Sequence, residues 1–250
     1  FPALYIFRVE IAVGLIALIT VVNLRGVKES GTIFAVPTYF FVAMMLLMLA
    51  IGFWQESTGQ LQTMPQPQAL ETTLLPLSIL LVMRAFASGC TALTGVEAIS
   101  NGIMAFKEPR SRNAARTMVF MSMLLAVMFI GITILANQVH VIAGENVKET
   151  VISQIARSLY GLSPMYYITL TATTIILIMA ANTSYAGFPF LSALIAGDNF
   201  LPKQLTYRGR RLVFSWGIVA LALSAAVLVI IFTADTTRLI PLYAIGVFMS

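Results

Sequence analysis

The residues best placed to do chemistry lie together in one stretch, Ala87-Ser88-Gly89-Cys90-Thr91-Ala92-Leu93-Thr94-Gly95-Val96-Glu97. It is small and polar, yet it interrupts a strongly apolar run. Gly89 can stop a helix, because glycine accepts the left-handed conformation that follows a helix C-terminus. Thr94 with Glu97 three residues on has the form S/T-x-x-E of a capping box, which starts a helix. A stop followed by a start predicts a discontinuous helix, broken between about Gly89 and Gly95. The break frees carbonyls from one half and amides from the other. In lipid those groups must line a protein-enclosed cavity or hold a ligand. The competing account is a continuous helix whose Gly and Thr pack against neighbours, as small residues do in membranes.

Binding rather than catalysis is the chemistry on offer. Thr91, Ala92, Thr94 and Gly95 are the expected substrate contacts, through hydroxyls and freed backbone, although threonine also bonds its own helix. Glu97 is the only acid deep in an apolar run; it suits a proton carrier or gate, and equally a cap for the inner half-helix. Arg84 stands two turns before the break, roughly 10 Å away, where it can guard an outer vestibule or extend outward as a packing residue. Asn182, Thr183 and Ser184 form a second polar cluster, near the expected inner end of another apolar run, fit to line an ion site or to satisfy a helix end. With one histidine, His140, and one cysteine, Cys90, neither a His/Cys metal site nor a Cys–His nucleophile is supported. No phosphate-cradling loop is present and Glu97 has no evident acid–base partner, so no cofactor and no enzyme activity are expected.

The elements that must position these residues follow from composition. Hydrophobic residues make up 59% of the 250, charged residues only 10%, and the mean hydropathy is +0.91. Apolar runs near 20 residues long cross a bilayer as helices. Six such runs fall at 6–22, 33–54, 74–105, 117–136, 165–188 and 212–232, and a seventh begins near 239. Alternating strands of the outer-membrane barrel type are missing. The run carrying the polar stretch is 32 residues long, more than a straight crossing needs. The fold class expected is an all-α polytopic membrane protein.

The net charge of +5 and pI near 9.6 point to no nucleic acid, because the cations sit in short loops between apolar runs. Ten of the fifteen basic residues lie in the loops 25–32, 107–116 and 198–211, whereas 55–73 has none and carries Glu56 and Glu71. This alternation makes the basic loops cytoplasmic in a multi-pass protein of the inner (cell) membrane. On the outer side, Asn146 with Glu149 resembles a capping box, and Val147, Val151, Ile155 and Leu159 recur at helical spacing. They predict a short amphipathic helix lying on the outer surface. The chain opens at Phe1 and ends at Ser250 inside an apolar run, which reads as a piece of a longer protein.

Three motifs resemble the amino acid–polyamine–organocation (APC) permease superfamily. The run Leu93-Thr94-Gly95-Val96-Glu97-Ala98 leading to Lys107-Glu108-Pro109 is similar to that family's sixth helix. Asn23-Leu24-Arg25-Gly26-Val27-Lys28-Glu29-Ser30 resembles the link between its fourth and fifth helices. Asn182-Thr183-Ser184-Tyr185 through Asp198-Asn199-Phe200-Leu201-Pro202 resembles the end of the eighth helix and its inner loop. Ser88 through Ser100 is most similar to the KimA-type branch, whose activity is proton-coupled potassium uptake. The resemblance implies one permease domain over 1–250, running from the fourth to the tenth family helix. It also implies the five-helix inverted-repeat (LeuT-type) fold, with Val36-Pro37-Thr38-Tyr39 and Ile240-Pro241-Leu242-Tyr243 as a faint internal trace and Tyr243 as a further substrate contact. Met104, Ala105, Phe190 and Gly197 depart from the family pattern. The implied partners are a potassium ion or an amino acid, a coupling proton or sodium, and the lipid bilayer, with a homodimer left open. An ion channel would need a pore-loop signature, and none is seen.

Overall fold

Apolar sequence in lipid leaves the backbone no water to bond, so each run must satisfy its own amides. The computed structural model describes residues 5–26, 31–63, 78–90, 106–142, 149–207 and 214–249, and among these all regular structure is helical. The helices are α1 (Arg8–Leu24), α2 (Gly31–Ser57), α3 (Ile79–Cys90), α4 (Arg110–Val139), α5 (Val151–Tyr160), α6 (Pro164–Gly197), α7 (Ser215–Ile231) and α8 (Thr236–Met249), with a 3-10 turn at Lys203–Thr206. Three are long and apolar enough to cross a membrane: Phe34–Ser57, Arg110–Val139 and Pro164–Gly197; α7 is a shorter apolar helix.

Two of these helices outrun their apolar cores. α4 starts at Arg110 rather than near 117, because Asn113 ties the entry down. Its side-chain amide donates to the Lys107 carbonyl at 2.9 Å, and its backbone amide to the Pro109 carbonyl at 3.1 Å. α6 does not end near 188. It continues through Pro189 to Gly197, where Asn199 takes a left-handed φ of 66° and Phe200 donates back to the Ile195 carbonyl at 3.2 Å. Thirty-four residues at about 1.5 Å each exceed a hydrocarbon core of about 30 Å. Pro37 and Pro241 likewise lie inside helices, each near the start.

The chain divides into two compact units. The first comprises residues 1–40 and 172–239. Its core is Ile19 from α1, Tyr185 from α6 and Ile218 from α7, with Leu24, Ile178, Leu221 and Ala222 packed around them. α7 approaches α6 so closely that a Cβ on Gly217 would stand 2.9 Å from Pro189 Cα.

The second unit comprises residues 41–171 and 240–250. Its core joins Met45, Met48 and Leu49 of α2, Leu135 of α4, Ile155, Ala156 and Leu159 of α5, and Tyr166. α2 and α4 exchange glycines. A Cβ on Gly52 would meet Leu135 Cδ1 at 2.6 Å, and one on Gly131 would meet Leu49 Cδ1 at 2.8 Å. Each leucine therefore occupies space that only the opposite glycine leaves, a close approach that stands in for the missing hydrophobic drive between membrane helices.

α5 corrects one expectation. The amphipathic helix forms, but its cap is Thr150, whose side chain accepts from Ser153 N at 3.3 Å, and residues 143–148 with the expected Asn146 cap lie outside the described residues. One face of it, Ser153 through Ala156 with Ser158 and Leu159, is buried against the unit's core, while Arg157 is exposed. The buried polar groups account for this docking. Ser153 Oγ bonds Tyr166 Oη at 3.0 Å, and the Gln154 amide brackets Ile142, accepting from its N at 3.0 Å and donating to its O at 2.9 Å. Ser158 donates to the Gln62 carbonyl.

Candidate functional site

The approach to the expected break is α3. Its start is set by Ser78, whose hydroxyl accepts from Leu81 N at 3.2 Å and whose carbonyl accepts from Val82 N at 3.1 Å. Gly89 sits within α3 in a helical conformation, so the expected left-handed stop is not taken there; glycine permits that conformation without requiring it. Arg84 lies on the same helix, one and a half turns before Cys90. Thr91, Ala92, Thr94, Gly95 and Glu97 fall within 91–105, outside the described residues. Tyr243 lies in α8, two residues after Pro241, and is 49% exposed.

The second polar cluster is described in full. Asn182, Thr183 and Ser184 do not stand at a helix end, because α6 runs on to Gly197 and Asn182 is near its middle. The Asn23 amide of α1 donates to the Ile19 carbonyl at 2.9 Å and to Asn182 Oδ1 at 2.6 Å. One turn away, the Thr20 hydroxyl lies 2.6 Å from the Ile16 carbonyl and 2.9 Å from Tyr185 Oη. A hydroxyl has one proton. Tyr185 Oη also lies 3.5 Å from the Ile16 carbonyl, so either hydroxyl can donate to the other while the remaining proton goes to Ile16, and both arrangements tie α6 to α1. Tyr185 is buried, so its hydroxyl needs this partner. The Thr183 hydroxyl turns back to the Ala180 carbonyl, and Ser184 is exposed.

Thr20, Asn23 and Tyr185 were not among the expected site residues. The available signal was their spacing: Thr20 and Asn23 are three apart, so they share one face of α1, and polar residues in apolar helices bond across to neighbours. Among the described residues no group of three or more His, Cys, Asp or Glu is placed to hold a metal ion.

A family model described as "Amino acid permease" matches residues 5–250. The chain belongs to the amino acid permease family. It is therefore a membrane protein of the APC superfamily, and among the described residues three helices are long and apolar enough to cross a membrane. A curated relative, "Potassium transporter KimA" of Bacillus subtilis (strain 168), is 45% identical over 249 residues. That match covers 100% of this permease chain but 41% of the relative, so the chain spans about two fifths of the relative's length.

Proposed function

We propose that the full-length protein is a secondary active transporter that takes up potassium, coupled to protons or sodium. The observation that carries this is the 45% identity, sustained along the whole chain, to a protein named a potassium transporter. In this proposal the chain is one permease domain with the five-helix inverted repeat, and its basic loops 25–32, 107–116 and 198–211 face the cytoplasm. Thr91, Ala92, Thr94, Gly95 and Tyr243 contact substrate, Glu97 and Arg84 couple or gate, and Asn182, Thr183 and Ser184 serve the coupling ion.

The chemistry at a break favours a cation. Carbonyls ending an outer half-helix present the negative end of a dipole, which suits K⁺. Amides opening an inner half-helix would suit a carboxylate, but Thr94 and Glu97 have the spacing to occupy two of them, and an ionised Glu97 repels an anion. An amino acid is the second reading, favoured by the family description. Uptake by the full-length protein in potassium-dependent cells separates the two. Thr91→Val or Thr94→Val should slow potassium-limited growth with expression intact. Full growth in both variants, or a current that depends on an amino acid, counts against potassium.

A further inference from the structure

One face of α4 is covered by its own unit, where Ala114, Gly131, Leu135 and Val139 are buried. An α-helix turns by about 100° per residue. On that wheel Arg112 and Arg116 stand about 160–200° from Ala114, in line with Val119, Met123, Val127 and Ile130. All of these outward residues are exposed, Met123 to 68%. From Val119 to Ile130 the apolar stripe runs about 16 Å along the helix, half of a hydrocarbon core about 30 Å thick. That is the depth of the acyl chains of one leaflet.

The cations at this end of α4 divide by face. Arg110 is partly buried and engages Glu108 at 3.3 Å. Arg112 and Arg116 form no ion pair among the described residues. Like charges four apart on a helix repel one another, and an anion between them relieves this. The rule that keeps cations inside decides which end of α4 they occupy, but not which face. Here two unpaired arginines cap the apolar stripe itself.

We propose that an anionic phospholipid docks along this face of α4, with its phosphodiester on Arg112 and Arg116 and an acyl chain on the stripe from Val119 to Ile130. The transport reading enters only in naming the leaflet, which is the cytoplasmic one. The planar fork of a guanidinium gives a phosphodiester two parallel hydrogen bonds. An arginine one turn from a lipid-facing residue reaches the headgroups by laying its apolar stem along the helix. A protein segment covering the same face would need an acid of its own at the membrane edge as well as an apolar length. A phospholipid carries both in one molecule. A zwitterionic lipid offers the same phosphate but sets its own ammonium against the arginines, and free phosphate lacks the chain.

The test titrates delipidated full-length protein in detergent with dioctanoyl phosphatidylglycerol, dioctanoyl phosphatidylcholine or inorganic phosphate, reading binding by native mass spectrometry. Phosphatidylglycerol should bind about 25-fold tighter than phosphatidylcholine, because each of two cations contributes about fivefold. Inorganic phosphate should bind far more weakly than either lipid. Arg112→Gln with Arg116→Gln should remove the preference, while Lys203→Gln in another basic loop should retain it. If the double variant does not fold, Arg116→Gln alone is read, with an expected loss of about fivefold for phosphatidylglycerol. Location is read in vesicles of the two lipids. p-Benzoylphenylalanine in place of Met123 should cross-link phosphatidylglycerol, and in place of Met128, which packs against the core of its unit, it should not. Equal binding of the two lipids, a preference that survives loss of the arginines, or phosphate binding as strong as lipid overturns the proposal. So does a Met123 cross-link to another segment of polypeptide, which would mean that protein covers this face. Headgroup preference in detergent does not depend on sidedness or on transport, so failure here leaves the uptake result standing, and the reverse.

Discussion

Tyr160 shows how much a single atom can decide. Its hydroxyl is buried, and among the described residues it has no hydrogen-bond partner. The neighbouring buried groups of α5 differ: Ser153, Gln154 and Ser158 all bond across to other segments. Burial pushes the Tyr160 phenol above its ordinary value of 10.0, because the phenolate would lose its hydration. The direction fixes the pH dependence. The unfolded chain ionises first, near pH 10, so the contribution of the neutral phenol is whole below that and is lost as pH rises through the folded value. Tyr160→Phe keeps the ring, removes the unpartnered hydroxyl and should raise stability at neutral pH by about 1 kcal/mol. It should also make stability fall less steeply above pH 10. Thermal melts of the two full-length proteins at pH 7 and above pH 10 decide this, and a less stable phenylalanine variant at pH 7 would show that the hydroxyl has a partner after all.

At the scale of elements, what matters is how closely backbones approach. Gly217 of α7 faces Pro189 of α6 with no room for a Cβ, and the obstacles at 2.9 Å are Pro189 Cα and the Cβ of its ring, neither of which can swing away. Gly217→Ala should therefore push the two helices apart and cost about 1–3 kcal/mol. The exchange between α2 and α4 differs, since the atoms in the way of Gly52 belong to Leu135. Gly52→Ala should be substantially rescued by Leu135→Ala in the same chain, whereas no substitution of a side chain at Pro189 rescues Gly217→Ala. Equal rescue in the two pairs would mean that backbone does not set the approach of α7 to α6. Periodicity revealed the apolar cores of α1, α2, α4, α6 and α7, because long hydrophobic runs admit only helices in lipid. It missed the ends. Asn113 pulls α4 back to Arg110 by a capping bond that no hydrophobic count contains, and α6 passes through Pro189, a residue that on sequence alone reads as a stop. The Asn23–Asn182 and Thr20–Tyr185 pairs were hidden for the same reason: each residue is legible alone, and only packing joins them. Of the expected substrate site, Tyr243 and the helix leading to the break are described, while 91–105 is not.

For the whole molecule the open variable is sidedness, and charge argues it. Lys107, Arg110, Arg112 and Arg116 crowd one end of α4, while the end of α2 at Ser57 is followed by a stretch without Lys or Arg as far as 73. Moving a cluster of cations across a bilayer against the inside-negative potential costs about 2.3 kcal/mol per charge per 100 mV, so the cluster stays where it is made. Ser111 and Ser57 are both exposed, and neither is packed in a core, so a cysteine at either position can report its compartment without disturbing the fold. In a full-length background with native cysteines removed, Cys90 included, Ser111→Cys should react with a membrane-impermeant maleimide only after the inner face is opened. Ser57→Cys should react in intact cells. The opposite pattern would invert every span at once and would move the α6–α7 cations to the outer face. Labelling of both sites in intact cells would instead mean that charge does not orient this permease, because one chain would then be present in two topologies.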